Sequence, residues 1–247
     1  MTDRIVFDHI AVATERLANA PPILTGLLGG RPLFQMDSEN FRFGHWRFKD
    51  GGRIEILEPA GTDGFLHRFL AKHGPGIHHL TFKVPNLRLA CDRAEARGYT
   101  IVGYNDSDPR WQEAFLHPKE ALGLVVQLAH QAQEIKPPRL RQPPSGAENT
   151  PPAVTILGLR TRARSLARAR TQWELILQGE CVEQSQSKLI YRWLDSPMQI
   201  VVEIDPSKNE GPICIEFESD RLIALPQERH SLLGNVFAQR PRSGGPA

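Results

Sequence analysis

FDHIAVAT (residues 7–14) and GIHHLTFKV (residues 76–84) are two versions of one phrase, a strand-like alternation carrying a histidine, with His9 and His79 standing 70 residues apart. Each is followed by a helical stretch and later by a second strand that ends on a polar, metal-competent side chain. These are Glu55 in RIEILEP (53–59) and Gln127 in LVVQLAH (124–130), 72 residues apart. Near-equal offsets are the mark of a duplicated unit with one site divided between its two copies. Four ligands at matching places argue for a single mononuclear metal centre.

The elements around these anchors repeat as well. The strand IVFDHIAVAT (5–14) ends in Thr14, which can cap a helix over LANAPPILTGLLGG (17–30) that Gly29 and Gly30 stop. Strands over PLFQM, FRFGHWRFK and RIEILEP follow, with Asp50, Gly51 and Gly52 turning the last hairpin. After a helix over FLHRFLAKHG (65–74) the order returns: strand IHHLTFKV, helix LRLACDRAEARG (87–98), then strands TIVGYN, WQEAFLHP and GLVVQLAH. The expected fold class is α+β, built of tandem βαβββ modules over residues 1–130.

Residues 131–153 are rich in Pro, Ser, Gln and Ala and read as a linker. Beyond them TILGLRTRARSLARARTQWELILQGE (155–180), KLIYRWLD, MQIVVEIDP and PICIEFES suggest a degenerate third module over 154–238 and the start of a fourth. There the place of His9 falls on Ile156, that of Glu55 on about Val202 and that of His79 on about Cys214, so no ligands are expected. Residues 239–247 read as a disordered tail.

At 247 residues the chain can bury an ample core. Thirty Lys and Arg stand against 28 Asp and Glu, a net charge of +2, and the two signs are interspersed. No global field points to nucleic acid or an anionic membrane. The basic run Arg160 to Arg170 reads as a solvated helix face or an anion site. Three scattered cysteines make no disulfide framework. No apolar run suits a signal peptide or the roughly 20 residues of a membrane span. A cytoplasmic protein with a small-molecule substrate, as monomer or homodimer, is expected.

At DHIAVAT, at ILEPAGTDGFLHRFLAKHGPGIHHLTFKV (56–84) and, most specifically, at AFLHPKEALGLVVQL (114–128), the sequence resembles the vicinal oxygen chelate superfamily. Its members include glyoxalase I, methylmalonyl-CoA epimerase, extradiol ring-cleaving dioxygenases and bleomycin-resistance proteins. The likeness covers about residues 5 to 130 and is nearest to the epimerases. It implies a vicinal oxygen chelate, glyoxalase-like fold and one divalent ion, with Co, Mn, Zn, Ni, Mg and Fe all admissible. The implied ligands are His9, Glu55, His79 (the second histidine of its pair, His78 pointing away) and Gln127. Epimerases resemble this set with carboxylate and amide exchanged. A single carboxylate leaves the centre positive enough to stabilise an enolate. No glutamate base matches near Gly44, so the base falls to His45, which also reads as a surface strand histidine, or to Glu55. Trp46, Trp111 and Phe115 are the expected pocket walls, or ordinary packing. The implied activity is that of a metal-dependent isomerase or lyase acting on a small carbonyl or acyl-CoA substrate. An extradiol-type dioxygenase and a non-enzymatic, resistance-type binding protein are the alternatives.

Overall fold

The computed structural model describes residues 4–38, 40–131, 150–225 and 236–241. Residues 132–149 of the expected linker and 242–247 of the expected tail lie outside them.

Two sheets are formed, with mixed strand directions and few helices, as an α+β vicinal oxygen chelate fold requires. The first half supplies β1 (Val6–Ala13), β2 (Arg31–Asp37), β3 (Phe41–Arg47), β4 (Arg53–Pro59), α1 (Phe65–His73), β5 (Gly76–Lys83), α2 (Leu87–Glu95), β6 (Ile101–Asp108), β7 (Trp111–Leu116) and β8 (Val125–His130). Its strands run in the order β2-β3-β4-β1-β5-β8-β7-β6. Parallel β1–β4 and β5–β8 pairs, each extended by an antiparallel meander, are the structural form of the duplication. Asp50 (φ 61) and Gly51 (φ 96) make the left-handed turn expected between β3 and β4.

The helix expected over residues 17–30 is replaced by a 3-10 turn at Leu17–Asn19 and a wide π-type helix at Pro22–Leu27. Pro21 and Pro22 lack the N–H groups that would carry one α-helix through the segment. The Thr14 amide is held by Leu57 O (2.9 Å), and the Glu58 carboxylate, arriving from β4, accepts the Leu17 N–H at 2.6 Å. Gly29 (φ 69) ends the segment as expected.

The second half forms β9 (Thr155–Ala163), α3 (Leu166–Arg170), a π-type turn at Thr171–Ile176, β10 (Glu180–Gln184), β11 (Lys188–Arg192), β12 (Gln199–Ile204), β13 (Gly211–Glu218) and β14 (Phe237–Arg240). Their order, β10-β11-β12-β9-β13-β14, repeats β2-β3-β4-β1-β5-β8. Register then fixes the equivalent positions. Thr81 pairs with Gln127 as Glu216 pairs with Ala238, which puts Cys214 in the place of His79 and Ala238 in that of Gln127. Val201, facing Ile190, takes the place of Glu55, which faces His45. Gly158 stands as far ahead of the left-handed Gln178 (φ 54) as His9 stands ahead of Gly29. The sequence-based equivalents Ile156 and Val202 were therefore out of register, and none of the four true positions carries a metal ligand other than the thiol of Cys214.

By contacts the described chain divides into two compact units. One comprises residues 4–9, 79–131 and 159–213. Its core holds Phe7 stacked on Phe82 (4.9 Å between centroids), with Trp193 against both and Trp173 against Phe82. The Trp193 indole donates to Leu177 O (2.7 Å), and Ser196 Oγ donates to Phe7 O (2.7 Å), so second-half residues fix the start of β1. The other unit comprises residues 10–78, 150–158, 214–225 and 236–241. Its core gathers Ala11, Ala13, Leu57 and Leu66, overlaid by the half-buried Phe41, Phe43, Phe69 and Leu70.

Candidate metal centre

Strand alternation explains why the candidate ligands His9, Glu55 and His79 converge. Glu55 is the direct partner of Ala11 on β1, and His9 lies two residues earlier on that strand, on the same side. One ligand atom from each of His9, Glu55 and His79 lies within 4.8 Å of the others, and all three residues are buried. Bonds of about 2.1 Å to a divalent ion place opposed ligand atoms about 4 Å apart, so the spacing and the donor set fit such an ion. Among the described residues this is the one cluster of its kind.

Gln127 is linked to His9 through Thr81. The Thr81 hydroxyl donates to Gln127 Oε1 (2.6 Å) and also lies 2.9 Å from His9 Nε2. At its other end Gln127 Nε2 donates to Glu113 Oε2 (2.6 Å), which also accepts the Trp111 indole N–H (3.0 Å). A carboxylate is an acceptor only, so this bond fixes the amide with its oxygen toward His9. His9 is set in the same manner: Nδ1 meets Asp8 Oδ2 at 2.8 Å, and Asp8 in turn meets Lys83 Nζ at 3.3 Å. With Nδ1 held on a carboxylate, Nε2 is the nitrogen that would face a metal, in exchange for its contact with Thr81 Oγ1.

His45 is buried, not a surface histidine, and its Nε2 lies 3.1 Å from Glu55 Oε1 while its ring stacks on Phe34 at 4.6 Å. His78 takes no part in the cluster. It packs between Phe65 and Phe69, where burial lowers its pKa to about 4 against the opposing pull of Glu55. Of the three expected walls, Phe115 stands edge-on to His79 (6.3 Å) and Trp111 is tied to Glu113. Trp46 points away from His45, is 1 % exposed and donates its indole N–H to Thr25 Oγ1 (3.1 Å). Asp8, Thr81 and Glu113 had not been singled out in the sequence, although each lies one or two residues from an anchor on its own or the paired strand.

The family model described as Glyoxalase/Bleomycin resistance protein/Dioxygenase superfamily matches residues 8–115. The uncharacterized protein YqjC of Bacillus subtilis is 30% identical over 127 residues, which are 49% of this chain and 89% of that protein. An ethylmalonyl-CoA/methylmalonyl-CoA epimerase of Cereibacter sphaeroides is 33% identical over 82 residues, 31% of this chain and 60% of the epimerase. Among solved structures, a mutant of 4-hydroxymandelate synthase from Streptomyces coelicolor superposes with a TM-score of 0.63 at 14% identity, covering 89% of this chain and 72% of that one. That likeness is one of fold, and it extends through the second half. The paired His9 and His79 phrases, the duplicated sheet and these matches agree: the chain belongs to the glyoxalase, bleomycin resistance protein and dioxygenase superfamily.

Proposed function

We propose that the protein is a metal-dependent isomerase or lyase that stabilises the enolate of a small carbonyl or acyl-CoA substrate. The observation that carries this reading is the buried convergence of His9, Glu55 and His79, with His45 against Glu55. His9, Glu55, His79 and Gln127 would hold one divalent ion. When bound, the ion would supply positive charge to an oxyanion developing on the substrate carbonyl. The His45 and Glu55 pair accepts the proton, since a proton taken by either group can be shared across their 3.1 Å contact. Phe34 and Phe43, packed on the His45 ring, keep water from that pair. On this reading residues 1–130 are the metal-binding pair of modules and 154–238 a ligand-free cover, in a cytoplasmic monomer or homodimer whose partner is a small molecule, not nucleic acid or membrane.

The test is proton exchange. In deuterated water the metal-loaded protein should wash deuterium into the α position of a suitable acyl-CoA or hydroxyketone, and a chelator should stop it. His45→Ala or Glu55→Gln should abolish the exchange, and which of the two retains metal separates base from ligand. A second reading, an extradiol-type dioxygenase, is favoured by one observation: two histidines and one carboxylate are also the ligand inventory of non-haem iron oxygenases. Substrate-dependent oxygen uptake by the ferrous form, without exchange, would establish it instead.

A further inference from the structure

Three arginines stand in one row across the first sheet. Arg31 on β2 is the direct partner of Arg47 on β3, and Arg47 is the direct partner of Arg53 on β4. Like charges placed opposite one another destabilise a sheet. It lies two residues along the strands from the His45 and Glu55 pair, on the same face, a displacement of about 7 Å. Arg31, Arg47 and Lys49 are exposed, and no hydrogen bond or ion pair engages their side chains among the described residues.

These three cations line a concavity of about 490 Å³, together with Gly29, Phe48, Pro152, Ala153 and Asp220. Backbone bonds tie together the segments that line it: Val154 N donates to Leu28 O (3.0 Å) and Lys49 N donates to Val154 O (3.0 Å). Gly29 is required there, since a Cβ would fall 2.3 Å from Pro151 O. Three cations against the single carboxylate of Asp220 leave an excess of two positive charges. A phosphoryl or diphosphoryl group satisfies that excess, and a lone carboxylate does not.

We infer that the concavity at Arg31, Arg47 and Lys49 is a binding site for the phosphoryl group of a ligand that reaches along the sheet face toward His45 and Glu55. The site does not depend on a metal. Isothermal titration of chelator-treated full-length protein with inorganic pyrophosphate should show saturable one-to-one binding that weakens as salt rises. The double variant Arg31→Gln, Arg47→Gln should lose at least tenfold in affinity, with a Tm in the absence of anion equal to or above the parent's, because a repulsive pair has gone. Lys49→Gln, which leaves the arginine row intact, should lose part of the affinity, and Lys72→Gln, on α1, none. Competition identifies the source of the phosphate: displacement by coenzyme A marks a nucleotide tail, and displacement by glycerol phosphate a small phosphate ester. Absence of saturable binding, equal binding by the double and Lys49 variants, or equal displacement by acetate would overturn the proposal.

Discussion

Gln127 Nε2 donates to the Glu113 carboxylate at 2.6 Å, and this contact decides which end of the amide faces His9. Glu113→Gln can present either a donor or an acceptor to Gln127, so the amide loses its fixed orientation. Metal affinity measured by competition with a chromogenic chelator should fall about 10- to 100-fold, the usual effect of losing an outer-shell partner. An unchanged affinity would remove Gln127 from the ligand set or Glu113 from its support.

The ligands themselves should behave as a unit. Elemental analysis of the purified protein should give one divalent ion per chain, and His79→Ala and Glu55→Ala should each abolish its retention through gel filtration. Gly158, Val201 and Ala238 occupy the equivalent places in the second half, so crystals soaked in manganese should show density at His9 and none at Cys214. Metal retained by both alanine variants, or a specific peak at Cys214, would overturn the assignment.

The strands of the first half were legible because each alternates apolar and polar residues between clear turn signals, as in RIEILEP after Asp50, Gly51 and Gly52. The strand β10 was not, since all but one of its five residues are exposed and its alternation is weak. The break in the Leu17 to Gly30 segment was signalled by Pro21 and Pro22 but outweighed by the apolar periodicity around them. For the candidate site, spacing paired His9 with His79 and Glu55 with Gln127, and the structure brings a ligand atom of His9, Glu55 and His79 within 4.8 Å of one another. Asp8, Thr81 and Glu113 act through contacts that depend on strand pairing, which spacing alone does not give. Trp46 is a different case: adjacent strand residues face opposite ways, so its separation from His45 was already implied by the sequence.

Trp193 connects the second half to β1 and β5, packing on Phe7 and Phe82 within five residues of His9 and His79. Trp193→Ala removes this buried ring and orphans Leu177 O, a loss of about 3–5 kcal/mol. Urea unfolding should show a midpoint shift of that size, and a fragment of residues 1–131 should bind metal more weakly than the full chain. A fragment with full stability and full metal affinity would show that the second half is not needed to hold β1 and β5.

Cys91 is fully buried on α2, and burial raises its thiol from the ordinary 9.0 to about 11, partly opposed by the nearby Arg88. In the folded state the thiol therefore holds its proton over a range where the unfolded chain releases it. Its contribution to stability is present in full below pH 9 and is lost as pH rises toward 11. The loss is on the order of 2 kcal/mol. Tyr99, pushed up to about 12 chiefly by burial, adds a loss of the same sign above pH 10. Denaturant unfolding between pH 8 and 11 should show falling stability, with a shallower slope in Cys91→Ala. At pH 8 a thiol reagent should modify the half-buried Cys181 and Cys214 while Cys91 reacts only on unfolding. Rapid native-state labelling of Cys91, located by mass spectrometry, would show that α2 opens far more readily than its packing implies.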